Sequence, residues 1–136
     1  MSTAAPPLAP TDLLRMGDAG KGFELVNGEL REVEVSTDSS RVAARITGRL
    51  EPFVDAHDLG TVVGADGGFR CFPDDPGRVR RPDLAFLSAA TLPPAEYEPD
   101  GFCAAAPDLV VEVISPTDTA RGVEAKIEEW FAAGVK

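Results

Sequence analysis

From residue 11 onward the hydrophobic positions fall into short runs whose period switches between helical and alternating, and each run predicts one element. Thr11 followed by Asp12, Leu13, Leu14 and Met16 reads as a capped helix of one to two turns, closed by Gly17. Gly22 to Val35 alternates around Asn27-Gly28, a strong hairpin signal because both residues tolerate the positive φ that a tight primed turn demands. Over Ser39 to Asp58, Val42, Ile46, Leu50, Phe53 and Val54 recur at helical spacing opposite arginines, Thr47 and Glu51, which predicts an amphipathic helix stopped at Gly60. Strands at Thr61 to Val63 and Phe69 to Phe72 follow, joined by a turn through Gly64, Gly67 and Gly68. After the loop PDDPGRVRR, Asp83 to Leu87 reads as a short buried strand. A proline-rich excursion then leads to DLVVEVI at Asp108 to Ile114, the most apolar run and so the expected central strand. Asp118 or Thr119 can cap a last helix with Val123, Ile127, Trp130 and Phe131 on one face and Gly134 at its end.

Alternating strands and helices predict an α/β domain with one mixed central sheet flanked by helices. A chain of 136 residues has length for one such core. The proline- and alanine-rich residues 1–10 read as a flexible lead, and 11–136 as the domain. A helix after a central strand normally feeds another strand, so the expectation is a domain lacking its C-terminal strand.

Composition narrows the function classes. A hydrophobic share of 43% and a charged share of 26% are those of an ordinary globular protein, with no apolar run of the ~18 residues that a membrane span needs. The N-terminus has neither a basic segment nor an apolar core, so a cytoplasmic location is expected. Cys71 and Cys103 lie outside any metal-ligand spacing and are expected as free thiols. The net charge of −10 changes the picture most: the summed field repels polyanions and argues against non-specific coating of nucleic acid. A nucleic-acid substrate then needs a local basic patch or a bound divalent cation.

Candidate chemistry centres on Glu112, a carboxylate flanked by Val110, Val111, Val113 and Ile114. Burying such a group costs several kcal/mol or forces protonation unless a cation, a donor or water sits beside it. Pro-Asp occurs twice, at Pro82-Asp83 and Pro107-Asp108. Asp108 shares a strand with Glu112 but lies about 13 Å from it at the ~3.3 Å rise per residue, too far to share an ion. Asp83 starts a different strand, and neighbouring strands are only ~4.8 Å apart, so its carboxylate can converge with that of Glu112. Two carboxylates, waters and a substrate phosphate suit an octahedral Mg2+ (or Mn2+), which polarises a phosphoryl group and acidifies a bound water. Lys126, at the edge of the last helix's apolar stripe, can extend along the sheet toward Glu112.

Other residues are weighed with their plain structural alternatives. Arg78, Arg80 and Arg81 precede Asp83 and would place positive charge at the mouth of the site, with Arg80 and Arg81 contacting nucleic acid, unless they simply pair with acids. Ser115 is placed to orient Glu112 or to make a turn before Pro116. His57 is expected as a packed or capping residue on the buried side of its helix. Glu24 and Glu29 flank the Asn-Gly turn as extra ligands or as exposed hairpin charges.

Asp83 on one strand and Glu112 on the next apolar strand resemble the PD-(D/E)XK restriction-endonuclease superfamily. FELVNGEL, RRPDLAFLS, APDLVVEVISP and the lysine of EAKIEEWFAAGV, in that order, resemble the Uma-two family, bacterial proteins classed as endonucleases. The resemblance runs from about Thr11 to the end of the chain. It implies a four-stranded mixed sheet, a divalent metal held by Asp83 and Glu112, and cleavage of DNA phosphodiester bonds, with a homodimer as the common assembly of such folds. Lys126 carries over as the catalytic lysine, because Ile114 occupies the usual Glu-X-Lys position. Arg41 stands about where relatives often have histidine. The rival from another class is a catalytically silent nuclease-fold protein that binds DNA or a protein partner; a phosphodiesterase acting on a small substrate is a third reading.

Overall fold

The structure is a computed structural model that describes residues 4–136. In chain order it contains α1 (Pro10–Arg15), a one-turn 3-10 helix (Gly17–Gly20), β1 (Phe23–Val26), β2 (Glu29–Glu32) and α2 (Thr37–Ala56). There follow β3 (Gly60–Gly64), β4 (Leu84–Ser88), a second 3-10 turn (Pro94–Glu96), β5 (Leu109–Val111) and α3 (Ala120–Ala133). The architecture is mixed α/β, small sheets flanked by helices. No helix among the described residues is long and apolar enough to cross a membrane.

Local chemistry accounts for most boundaries. Pro10 takes the first turn of α1, where a missing N–H costs nothing, and the Asp12 carboxylate accepts the Ala9 N–H at 2.8 Å. The helix therefore begins inside the stretch expected as a lead. Leu8 donates its N–H to the Gly28 carbonyl at 2.9 Å, which ties that stretch to the hairpin turn; residues 1–3 lie outside the described residues. Asn27 and Gly28 have φ of 53° and 75°, the primed turn that the dipeptide predicts between β1 and β2. Ser36 caps α2 by accepting the Ser39 N–H at 3.1 Å. His57 ends α2: its Nδ1 bonds the Phe53 carbonyl at 2.8 Å and its ring lies 4.4 Å from the Phe53 ring. The histidine is a cap, as expected, but it is exposed rather than on the buried side. Gly134, at φ 108°, closes α3 in the left-handed conformation that glycine favours.

The strands divide differently from the expected single mixed sheet. β1 and β2 form an antiparallel pair, and β3, β4 and β5 form a second antiparallel sheet in that order. Isolated bridges join the layers: Leu25 to Val79, Phe69 to Arg80, and Phe69 to Cys103 in parallel. The predicted strand at Phe69 to Phe72 reduces to Phe69, which pairs on both sides without making a ladder. The central strand is β4, not the DLVVEVI run. Leu84, Ala85 and Leu87 are fully buried, whereas Leu109 and Ile114 are 40% and 64% exposed. The ladder of β5 stops at Val111 for a local reason: the N–H two residues on, at Val113, donates to the Asp83 carboxylate at 2.6 Å instead of to a backbone carbonyl.

Two apolar clusters hold these pieces. Phe69, Phe72, Ala85, Leu87 and Trp130 pack between the larger sheet and α3, and Leu13, Leu25 and Val79 pack under the hairpin. Each of the larger side chains contributes about 2 kcal/mol by full burial. Cys71 and Cys103 are free thiols at the edge of the first cluster, as expected, and burial pushes the Cys71 thiol up to about 11.

Candidate active site

Asp83 immediately precedes β4 and Glu112 immediately follows β5, the two strands being antiparallel neighbours. Leu84 is opposite Val111, so carrying the register one step outward places Asp83 opposite Glu112. Residues opposite each other project to the same face. That face is the one carrying Ala85, Leu87 and Val110, against which Trp130 of α3 packs. The two carboxylates therefore enter one cleft of about 480 Å³, whose lining includes Glu24, Asp83, Glu112, Lys126 and Trp130.

Glu112 is the most perturbed of the acids. Burial pushes its carboxyl from the ordinary 4.5 up to about 7; Lys126 and the Trp130 indole oppose that rise, while the charges of Glu24 and Asp83 add to it. The Lys126 ammonium lies 3.8 Å from Oε2, and Trp130 Nε1 donates to Oε1 at 3.3 Å. Both partners come from α3, one helical turn apart, so this face of the helix is built around the carboxylate. Asp83 uses Oδ2 to accept the Val113 N–H, which ties its side chain to the strand that bears Glu112.

Asp108 is structural, as its spacing indicates. Its oxygens accept the Ser88 N–H at 2.7 Å and the Thr91 hydroxyl at 3.0 Å, and these bonds outweigh its burial to hold the carboxyl below the ordinary value.

Several expectations change. Arg80 does not stand at the mouth of the cleft: its side chain is only 12% exposed, Nε and Nη2 grip both oxygens of Glu129 at 2.8 Å, and Nη1 donates to Glu24 at 2.8 Å. Burial opposes the Arg80 charge, yet the two carboxylates more than offset it and hold its pKa above the ordinary value. Arg81 lines the cleft, but Nε donates to the Phe23 carbonyl at 2.8 Å, Nη1 bonds the Asp66 carbonyl, and the guanidinium lies 5.6 Å from the centre of the Phe102 ring. Arg78 is buried over the Phe72 ring. Acids, carbonyls and rings surround all three arginines, although the buried Nε of Arg78 makes no hydrogen bond and has carboxylate oxygens only at 3.7 and 3.8 Å. Ser115 does not reach Glu112; its N–H donates to Asp118 at 2.7 Å and its hydroxyl to Glu34 at 3.4 Å, so it shapes the turn into α3.

The hairpin glutamates separate. Glu29 is exposed and pairs with Arg31, whereas Glu24 is buried, with Oε1 accepting the Arg81 N–H and Oε2 taken by Arg80. Sequence reasoning misses this use of Glu24 and the parts played by Glu129 and Trp130. Only Trp130 has a sequence signal, its place four residues after Lys126 on the same helix face.

Among the described residues, no group of three or more His, Cys, Asp or Glu side chains is arranged to hold a metal ion. The acids of the cleft that could hold a divalent cation are Asp83 and Glu112, with water and substrate oxygens supplying further ligands. The elevated carboxyl of Glu112 is what a cation would relieve, since positive charge next to it favours the ionised form.

The scaffold is mixed α/β, with two acids beside adjacent strands and a lysine of the helix packed above them lining one cleft. The family model described as "Putative restriction endonuclease", Uma2, matches residues 10–136, and the chain belongs to that family. A crystal structure from Anabaena variabilis ATCC 29413, described as "a putative nuclease belonging to DUF820", superposes with a TM-score of 0.69 at 16% identity, over 95% of this chain and 70% of that one. At that identity the likeness shows a shared fold. No curated protein matches the sequence.

Proposed function

We propose that the chain is a metal-dependent endonuclease that hydrolyses DNA phosphodiester bonds, with Asp83 and Glu112 as ligands of Mg2+ (or Mn2+) and Lys126 as the catalytic lysine. One observation carries the reading: two carboxylates one position beyond the paired ends of neighbouring strands share a cleft with an ammonium held against one of them. Family membership supports the same reaction class. A divalent ion bound by this pair would polarise the phosphoryl group and lower the pKa of its water. The chain's own residues set the rest. Asp83, anchored through Oδ2 to Val113, keeps its other oxygen for a ligand. Lys126 is placed to stabilise negative charge that develops on the phosphate, and it also steadies the ionised form of Glu112.

The net charge of −10 demands a local source of attraction for DNA, and Arg80 does not supply it. Exposed Arg41, Arg45 and Arg49 recur every four residues on α2; Arg41 pairs with Asp38 at 2.8 Å, and the stretch from Ser39 to Leu50 contains no acid. They give the helix a basic stripe of about 12 Å at the ~1.5 Å rise per residue, suited to backbone phosphates.

The test is plasmid cleavage with and without Mg2+, comparing wild type with Asp83→Asn and Glu112→Gln, beside calorimetric titration of each protein with Mn2+. Cleavage that survives either substitution refutes the assignment. The second reading, a silent nuclease-fold protein that binds DNA or a protein partner, draws on the acidic charge and on the ion pair that already occupies Lys126 and Glu112. It predicts no Mn2+ binding that depends on Glu112.

A further inference from the structure

Arg80, Glu24 and Glu129 form a buried ion trio that joins three separate segments. Arg80 spends Nη1 on Glu24 Oε2 at 2.8 Å, and Nε and Nη2 on Glu129 Oε2 and Oε1 at 2.8 Å each. Glu24 uses its other oxygen on the Arg81 N–H at 2.8 Å. The side chains of Arg80, Glu24 and Glu129 are 12%, 6% and 18% exposed, so water does little to loosen the arrangement. The connections lead to the cleft. Arg80 lies three residues before Asp83 on an extended segment; Glu129 lies one helical turn after Lys126 and next to Trp130, whose indole bonds Glu112.

We propose that Arg80 is a positioning residue: the Glu24–Arg80–Glu129 bridge sets α3, with Lys126 and Trp130, against the segment that delivers Asp83, and so fixes the spacing of the acidic pair. Its purpose in binding a cation rests on the nuclease reading, whereas the positioning itself does not. Glu24 then acts as a buttress and not as a metal ligand, because both of its oxygens are committed. A buried ion trio often contributes little net stability compared with apolar side chains of similar volume. What it does impose is direction, since a bidentate guanidinium fixes the angle as well as the distance of its partner.

The test uses the full chain, first free of metal. Trp130 is the only tryptophan, so its emission reports the placement of α3, and exchange of the Val113 N–H reports the bond to Asp83. The variants are the charge-free trio Glu24→Gln/Arg80→Met/Glu129→Gln, the single Glu129→Gln, which leaves the Arg80–Glu24 pair in place, and Arg80→Lys. Expected in the charge-free trio is cooperative unfolding with a red-shifted, more quenchable Trp130 and Val113 exchange faster by tenfold or more. Mn2+ affinity is expected to fall by about 10- to 100-fold, with Arg80→Lys intermediate because an ammonium cannot grip both oxygens of Glu129 in a fixed plane. If the trio variant does not fold, Glu129→Gln is read by the same measurements. Wild-type Trp130 emission and Val113 exchange in the folded variants would overturn the proposal. Wild-type protein that binds no Mn2+ would instead overturn the nuclease reading, and the metal-free measurements would still decide the positioning role.

Discussion

Replacing Glu112 by glutamine is expected to stabilise the protein at pH 8 and to do much less at pH 5. Burial, reinforced by Glu24 and Asp83 and opposed in part by Lys126 and Trp130, raises this carboxyl from 4.5 to about 7. The native chain keeps its proton over a range in which the unfolded chain has lost it. Stability therefore falls as pH rises from about 4.5, and the loss is complete above about 7. At 1.36 kcal/mol per pH unit, that interval corresponds to about 3 kcal/mol. Glutamine never ionises and still offers the Trp130 indole an acceptor, but it gives up the ion pair with Lys126. The expected gain is therefore about 1–3 kcal/mol at pH 8 and under about 1 kcal/mol at pH 5, where native Glu112 is already neutral. Urea denaturation followed by circular dichroism in EDTA at the two pH values measures it, with a change in midpoint at constant slope. An equal effect at both pH values, or a loss at pH 8, would show that the carboxylate is not penalised by its surroundings. Added Mg2+ is expected to stabilise wild type at pH 8 and not the variant, since only the ionised carboxylate gains from the cation.

Three further outcomes follow from the same geometry. Trp130 fluorescence is expected to titrate with a midpoint near 7 in metal-free wild type, because its indole donates to Glu112, and to stay flat in Glu112→Gln. Asp108→Ala orphans the Ser88 N–H and the Thr91 hydroxyl and is expected to cost about 1–3 kcal/mol in urea denaturation, while Mn2+ affinity by calorimetry stays at the wild-type value. Replacing Arg41, Arg45 and Arg49 together by alanine is expected to weaken duplex binding in EDTA. The slope of log affinity against log salt, measured by fluorescence anisotropy, should become shallower by up to about 2.7, roughly 0.9 for each phosphate that is no longer neutralised. An unchanged slope removes α2 from the DNA interface.

What could be read from the sequence divides according to the range of the signal. Asn27-Gly28, the heptad-like spacing from Val42 to Val54 and Gly134 each act within a few residues, and the elements they predict are present with small shifts at their ends. That Asp83 and Glu112 line one cleft is legible for a related reason: a carboxylate in or beside an apolar strand carries a cost that its own neighbours announce. The rank of β5 is not legible, because apolarity measures what side chains prefer, not how many strands lie alongside. Among the described residues β5 pairs with β4 alone, so the most apolar run ends as an edge.

The arginine run shows where sequence reasoning stops. Positive charge just before a candidate ligand reads equally as a phosphate clamp or as pairing with acids, and the choice depends on residues 49 and 56 positions away that no local pattern ties to Arg80. The same separation bears on function. If guanidinium groups beside Asp83 are consumed in orienting α3, attraction for a polyanion must come from another surface, and the cleft's affinity for a cation becomes the larger part of what brings phosphate to it. A protein with net charge −10 would then bind duplex far more tightly with divalent ion present than in EDTA. Stripping the metal should thus abolish cleavage and weaken binding to the residual affinity that the α2 arginines supply, which separates this site from one that holds DNA by arginines beside the acids and uses metal only for the chemical step.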